Sequence, residues 1–264
     1  MNESFEKDIT WNSAIYLHGD EQERFEETVK IIPQDCSSLL DVGAGNGAFL
    51  NFIEKTKLNI QTKGVEYSIG GIRNKVCQSE IIQGSIHDLK LANQSFDCVA
   101  ALEVIEHLPV SIYEKGLTEL ERVAKNYILI SVPYKENRVN VTCPNCACSF
   151  NPNTHVRSFD EMKLKNLFID FELESLQALG NKREMYFGKY RRLAKSLFGD
   201  KRFPAHCVCP LCFYSKNDGN HNVKSENSIT KMTSPKTYIK IIKKIFFYNS
   251  PRWFIAIYKR KKQL

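Results

Sequence analysis

The stretch "LLDVGAGNGAFL", residues 39–50, constrains the fold of this chain more than any other. Leu39, Leu40 and Val42 suit the buried end of a strand, and Asp41 sits among them. Gly43, Gly45 and Gly47 then occupy alternate positions, which permits a sharp turn and close approach of a ligand to the backbone. A helix starting near Gly47 points its unpaired N–H groups at that turn. The following residues keep alternating. Strand candidates are 38–42, 60–66, 79–83, 96–102 and 126–132, and helix candidates are 47–56, 69–77 and 111–124. Alternation of this kind predicts βαβ units, hence an α/β fold with a Rossmann-like parallel sheet and helices on both faces. In such sheets ligands bind outside the C-terminal strand ends, where the strand order reverses.

A Gly-x-Gly-x-Gly turn by itself serves dinucleotide enzymes, kinases and plain structural turns. Its neighbours narrow the choice. Asp41 lies two residues before the first glycine, where a carboxylate takes up a cationic amine. "GVEYS" (64–68) ends the second strand candidate in Glu66, placed to accept both hydroxyls of a ribose. "QGSIHDL" (83–89) follows the third strand and "QSFDCVAALEVIEHL" (94–108) contains the fourth. In this order the motifs resemble those of the class I S-adenosylmethionine-dependent methyltransferases, over roughly residues 20–180. The resemblance implies a seven-stranded sheet. It assigns the methionine part and the turn to Asp41, Gly43 and Gly45, the ribose hydroxyls to Glu66, and the adenine to Tyr67, Ser85 and Ile86. Leu102 and Glu103 then close the pocket below the sulfonium. Many relatives have Asp where this chain has Ser85, so adenine recognition there rests more on backbone. A nicotinamide fold is disfavoured, because the third glycine comes one residue early for Gly-x-Gly-x-x-Gly.

"EVIEH" (103–107) places Glu103, Glu106 and His107 on one turn. His107 is a candidate catalytic base for a hydroxyl acceptor. Similar Glu-x-x-Glu-His turns occur in ubiquinone-pathway O-methyltransferases and in small-RNA terminal 2′-O-methyltransferases, where a later histidine completes a divalent metal site. His155 is the later histidine that fits here. The turn also occurs in members of the superfamily without metal, with the glutamate lining the cofactor pocket.

Six of the nine cysteines fall in "VTCPNCACSF" and "HCVCPLCF". Cys143-Pro-Asn-Cys146 and Cys209-Pro-Leu-Cys212 are two Cys-Pro-x-Cys knuckles, too far apart for a compact zinc ribbon. Brought together in space, their four thiolates would form a closed, structural zinc site, bracing the insertion over the substrate mouth. Cys148, Cys207, His155 and His206 are spare ligands. The alternative is a set of free reduced thiols. The pattern "VTCPNCACSFNPNTHVRSFDEMKLKNLF" is similar to a subgroup of bacterial methyltransferases associated with surface polysaccharide synthesis.

The net charge of +7 is unevenly spread, since residues 236–264 hold nine Lys or Arg and no acid. Tyr238, Ile241, Ile242 and Ile245 share one helical face there and Lys240, Lys243 and Lys244 the other. Trp253, Phe254, Ile257 and Tyr258 then form an aromatic-rich patch before four cations. Such a segment is expected to lie in the headgroup plane of an anionic membrane, or else to pack on the body as a helix. Nucleic acid is a disfavoured partner because the body is not basic. The first residues lack the pattern of a signal peptide, and no run is long and apolar enough to span a membrane. The expected location is cytoplasmic, peripheral on the inner membrane face.

The organisation read from these features is a lead-in with a helix (1–37, helical over 20–33) and a core (38–180) containing the insertion 134–157. A basic helix (182–198) and the second knuckle make up 181–215. A linker (216–235) and the basic tail (236–264) follow. Ser158 and Glu161 read as a helix-capping pair, and 171–179 as a later strand. The expected function is methyl transfer from S-adenosylmethionine to an oxygen of a sugar or lipid-linked glycan. The alternatives are a metal-dependent O-methyltransferase acting on a quinone-like lipid or an RNA end, and a non-catalytic scaffold.

Overall fold

The computed structural model describes residues 20–56, 59–185, 203–204, 207–215 and 247–262. The chain divides into two compact units. One comprises Met1–Arg138, Thr154–Gly180 and Pro251–Leu264, and the other Val139–Asn153 and Asn181–Ser250.

The first unit opens with helix α1 (Asp20–Lys30), then strand β1 (Ser38–Val42), α2 (Ala48–Lys55), β2 (Gln61–Glu66), α3 (Ile69–Arg73) and β3 (Ile81–Gln83). It continues through β4 (Phe96–Leu102), α4 (Val110–Val123) and β5 (Ala124–Pro133). After the residues given to the second unit come α5 (Glu161–Lys165), β8 (Phe171–Leu179) and β11 (Trp253–Arg260). The seven strands form one sheet in the order β3-β2-β1-β4-β5-β11-β8. β1 to β5 run parallel, and β11 is antiparallel to both β5 and β8. The order therefore reverses between β1 and β4, and the C-terminal ends of those two strands flank the crevice where a ligand is expected.

Both faces of the sheet are covered. Along β5, Ile128, Ile130 and Val132 pack in one apolar cluster with Leu117, Leu120 and Leu164, while Tyr127 and Leu129 pack in another with Phe25, Phe49 and Ile53. A strand buried on both faces reads as a continuous apolar run rather than an alternating one. β11 is such a run. Phe254, Ala256 and Tyr258 belong to the first cluster, and Ile255 and Ile257 to the second.

This corrects the reading of the tail. Trp253, Phe254, Ile257 and Tyr258 are all buried in the sheet, so they present no surface patch, and 251–264 belongs to the same unit as the core. The Tyr258 hydroxyl donates to the Leu164 carbonyl at 2.8 Å, and the Arg260 guanidinium donates to the Glu121 and Ala124 carbonyls at the end of α4. Cations meeting the last carbonyls of a helix satisfy its orphan acceptors. The amphipathic helix expected over 238–245, the linker 216–235 and the lead-in 1–19 lie outside the described residues. No described helix is long and apolar enough to cross a membrane.

Two local expectations also change. The short helix α5 is capped by Asp160, whose side chain accepts from the Lys163 N–H, and not by Ser158. Residues Lys182–Met185 form a strand, β9, instead of the start of a basic helix. β9 pairs antiparallel with β10 (Phe247–Ser250) in the second unit; residues 186–198 lie outside the described set. Pairing with a segment some sixty residues away supplies backbone hydrogen bonds that local patterning does not reveal. The second unit also contains a hairpin of β6 (Val141–Thr142) and β7 (Ser149–Phe150).

Candidate functional site

The glycine turn follows β1 directly. The Gly43 and Ala44 N–H groups donate to the Val65 carbonyl at 2.8 and 3.1 Å, which ties the turn to β2. Gly43 has φ +81°, and a Cβ added there would lie 2.5 Å from Cγ2 of Val104. Only glycine combines that backbone conformation with that contact. The contact also presses the glycine turn against the segment that leaves β4.

Asp41 is buried, and its pKa is pushed up to about 7, by burial first and then by Glu66, with Arg24 opposing. Glu66, at the end of β2, is buried too. One of its oxygens accepts from the Gly45 N–H and the other from the Ser68 N–H, each at 2.7 Å. It thus braces the glycine turn against the start of α3. Ser68 caps that helix by accepting from the Gly71 N–H. Tyr67 next to it is half exposed. Beyond β3, Ser85 shares a 2.7 Å hydrogen bond with Nδ1 of His87, and Ile86 is buried against the core.

After β4 the chain turns through Glu103 to His107. This stretch is a turn and not a helix, with the His107 N–H donating to the Val104 carbonyl. Glu103 adopts φ +58°, an unusual conformation for a non-glycine residue. Its carboxylate accepts from the Ser131 hydroxyl at 3.0 Å, and that hydroxyl accepts from Nη1 of Arg24 at 2.9 Å. Burial raises the Glu103 pKa, while Arg24 and Ser131 pull it back. Arg24 itself is buried, ion-paired to Glu21 and stacked near Trp253.

Glu103 therefore faces Arg24 and Ser131, whereas Glu106 and His107 form a group with His155. The ligand-type atoms of these three lie within 4.8 Å of one another. The two imidazoles meet edge to face with centroids 4.6 Å apart. Thr154 holds Nδ1 of His107 at 3.0 Å, and Glu136 holds Nδ1 of His155 at 2.6 Å. Glu106 is fully buried, and neither of its carboxyl oxygens has a hydrogen-bond partner among the described residues. Burial and the nearby Glu103 raise its pKa well above the usual range. Burial, together with His155, pushes His107 down to about 3. A neutral imidazole of that kind is a better ligand or hydrogen-bond acceptor than a proton acceptor.

In the second unit, the four predicted thiols converge. Cys143 and Cys212 are 3.6 Å apart at sulfur, and Cys146 and Cys209 3.5 Å. Cys148 and Cys207 pack in the same cluster without joining the group of four; His206 lies outside the described residues.

Thus Asp41, Gly43, Gly45, Glu66, Tyr67, Ser85, Ile86, Leu102 and Glu103 all stand on or just after the C-terminal ends of four neighbouring parallel strands. Sequence reasoning missed Arg24, Ser131 and Glu136. Arg24 sits on a helix of ordinary amphipathic pattern, and Ser131 in an apolar strand, so each acquires meaning through the other. The residues fit an adenosylmethionine ligand: a buried carboxylate beside a left-handed glycine turn, and a second carboxylate at the neighbouring strand end.

Residues 40–128 match the methyltransferase domain family. No curated protein matches the chain. Among solved structures, the chain is similar to a SAM dependent methyltransferase from Archaeoglobus fulgidus, at 15% identity and a TM-score of 0.52, covering 94% of this chain and 97% of that one. It is also similar to the PH0226 protein from Pyrococcus horikoshii OT3, at 14% identity and a TM-score of 0.55, covering 97% and 99%. Such likenesses are of fold. Residues 40–128 thus carry a methyltransferase domain, set on a seven-stranded sheet with the strand order of the class I methyltransferase fold.

Proposed function

We propose that the chain methylates a hydroxyl oxygen, with a sugar or a lipid-linked glycan as the acceptor class. The observation that carries this reading is the group formed by buried Glu106 and half-buried His107, on the turn after β4, with half-buried His155; Val104 of the same turn meets the glycine loop at Gly43. A hydroxyl is a weak nucleophile near neutral pH, so its methylation needs a group that orients it and stabilises its deprotonated form. Amine or thiol acceptors have less need of such a cluster. The similarity of the cysteine-bearing stretch 141–168 to polysaccharide-associated methyltransferases supports the glycan class.

In this reading Asp41 receives the methionine amine and Glu66 the ribose hydroxyls, which add to or displace the N–H groups of Gly45 and Ser68 on its carboxylate. Tyr67, Ser85 and Ile86 bound the adenine. Leu102 and Glu103 form the wall below the reacting carbon. The cofactor supplies a methyl group already activated on a sulfonium. The protein's part is to hold the acceptor oxygen in line behind it and keep water out. Calorimetry of the purified chain with S-adenosylmethionine tests the first half, and absence of binding overturns the proposal. Mass spectrometry of a glycolipid fraction with and without the protein tests the second. The expected result is a mass gain of one CH₂ on a sugar.

A second reading is favoured by one specific observation, the orphaned carboxylate of Glu106 beside two imidazoles. Two histidines and a carboxylate are a ligand set for a divalent cation, and Glu136 on His155 is the kind of partner that orients a metal-bound imidazole. Glu103 lies outside that set. Under this reading the activity is metal-dependent, and quinone-like lipids and RNA ends join the acceptor classes. Methyl transfer that is unchanged after exhaustive chelation rules it out.

A further inference from the structure

We propose that Cys143, Cys146, Cys209 and Cys212 form a closed tetrathiolate zinc site, and that this site, rather than an apolar core, holds the knuckle segments 139–153 and 207–215 together. The two knuckles are built alike, although sixty-six residues separate their first cysteines. In each, a six-residue loop is closed by an antiparallel pair, Thr142 with Ser149 around the first and Val208 with Ser215 around the second. In each, the N–H of the first cysteine donates to the carbonyl five residues on. These bonds are Cys143 to Cys148 at 2.8 Å and Cys209 to Tyr214 at 3.0 Å. The N–H four residues on returns to the first cysteine's carbonyl, from Ala147 and from Phe213, both at 3.0 Å. Those two residues have matching left-handed conformations, φ 60° and 58°. Two separate segments thus adopt one unusual turn, and each turn directs its cysteines at the other.

The sulfur geometry agrees with a metal. The first cysteine of each knuckle meets the second of the other, at 3.6 and 3.5 Å. That is far beyond the roughly 2.0 Å of a disulfide. A tetrahedron with zinc–sulfur arms of about 2.3 Å has sulfur–sulfur edges of about 3.8 Å. All four sulfurs fall within 4.8 Å of one another, so four ligands are in reach of one ion and the coordination shell closes.

The packing explains why the ion matters. The described apolar cluster of this unit consists of Cys143, Phe150, Phe203, Cys207 and Cys209, joined by Val141, Cys146, Cys148, Cys212 and Tyr214. Cysteines make up most of it. So small a core does not hold a fold without a staple, and metal binding then doubles as folding free energy.

The test is metal analysis of the full chain purified under reducing conditions without added metal. One zinc per chain is expected, released in step with four thiols when a mercurial reagent is titrated in. The double variant Cys209→Ser/Cys212→Ser is expected to lose the zinc and to be cut rapidly by protease within 139–153 and 207–215. The variant Cys148→Ala is expected to keep the zinc. Because the double variant could fail to fold, the wild-type thiol titration stands as an independent readout. A folded wild-type chain free of metal overturns the proposal, as do iron in place of zinc, crossed disulfides under reducing conditions, or loss of zinc in Cys148→Ala.

Discussion

Gly43 and Val104 touch so closely that a single added Cβ on the glycine would come within 2.5 Å of the valine methyl. This contact couples the loop after β1 to the turn after β4 across the reversal point of the sheet. Gly43→Ala is therefore expected to cost about 2–4 kcal/mol of stability, combining left-handed backbone strain with overpacking. It should also abolish adenosylmethionine binding, read by calorimetry. Binding that survives intact would show that the two loops are not coupled.

Asp41 makes the protein less stable as pH rises. Its folded pKa of about 7 lies above its unfolded value of 3.8. The folded state therefore holds the proton more tightly, and stability present below the unfolded value is lost as pH climbs through the folded one. The loss amounts to at most about 4 kcal/mol. Denaturant titrations at about pH 4 and about pH 8 should show most of it, and Asp41→Asn should flatten the difference. Cofactor affinity should move the opposite way, rising as Asp41 ionises to meet the ammonium group. A flat affinity profile between about pH 5 and 7 would detach Asp41 from the methionine end.

Arg24 links α1 to the turn after β4 through Ser131 and Glu103. Arg24→Met should destabilise by about 3 kcal/mol or more, because it leaves buried carboxylates unopposed. Adding Glu103→Gln should recover part of that loss in a double-mutant cycle. Strict additivity of the two changes would mean that the residues do not sense each other.

Glu106 separates the two readings of the acceptor site. Its carboxyl pKa is raised well above the usual range and the group has no hydrogen-bond partner among the described residues, so Glu106→Gln should alter stability by less than about 1 kcal/mol in the absence of divalent ions. If a cation binds there, Mn²⁺ or Mg²⁺ should raise the melting temperature of the wild type by mass action and leave the variant unmoved. Equal shifts in both proteins would place the cation elsewhere.

Removing β11 should unfold the core. Truncation after Ser250 bares the edges of β5 and β8 and deletes six consecutive buried residues, Trp253 to Tyr258. Insoluble product or loss of cooperative unfolding is expected. A soluble, cooperatively folding product that binds adenosylmethionine would return 251–264 to the status of an appendage.

The sequence by itself determined the order of elements from Ser38 to Pro133 and the glycine turn, because these are local. A strand, a left-handed glycine and the following helix are neighbours in the chain, and their periodicity is printed in it. The same holds for the acids at the strand ends, Asp41 and Glu66. Tertiary structure alone decided the rest. The run Trp253–Tyr258 is apolar at every position because it is covered on both faces, and a run of that kind looks the same whether a sheet or a lipid surface covers it. Arg24 with Ser131, His107 with His155, and Cys143 with Cys212 each join residues dozens of positions apart. Only the closing of the chain brings such groups within reach. Burial then sets the charge of Asp41 and Glu106, which no residue type announces on its own.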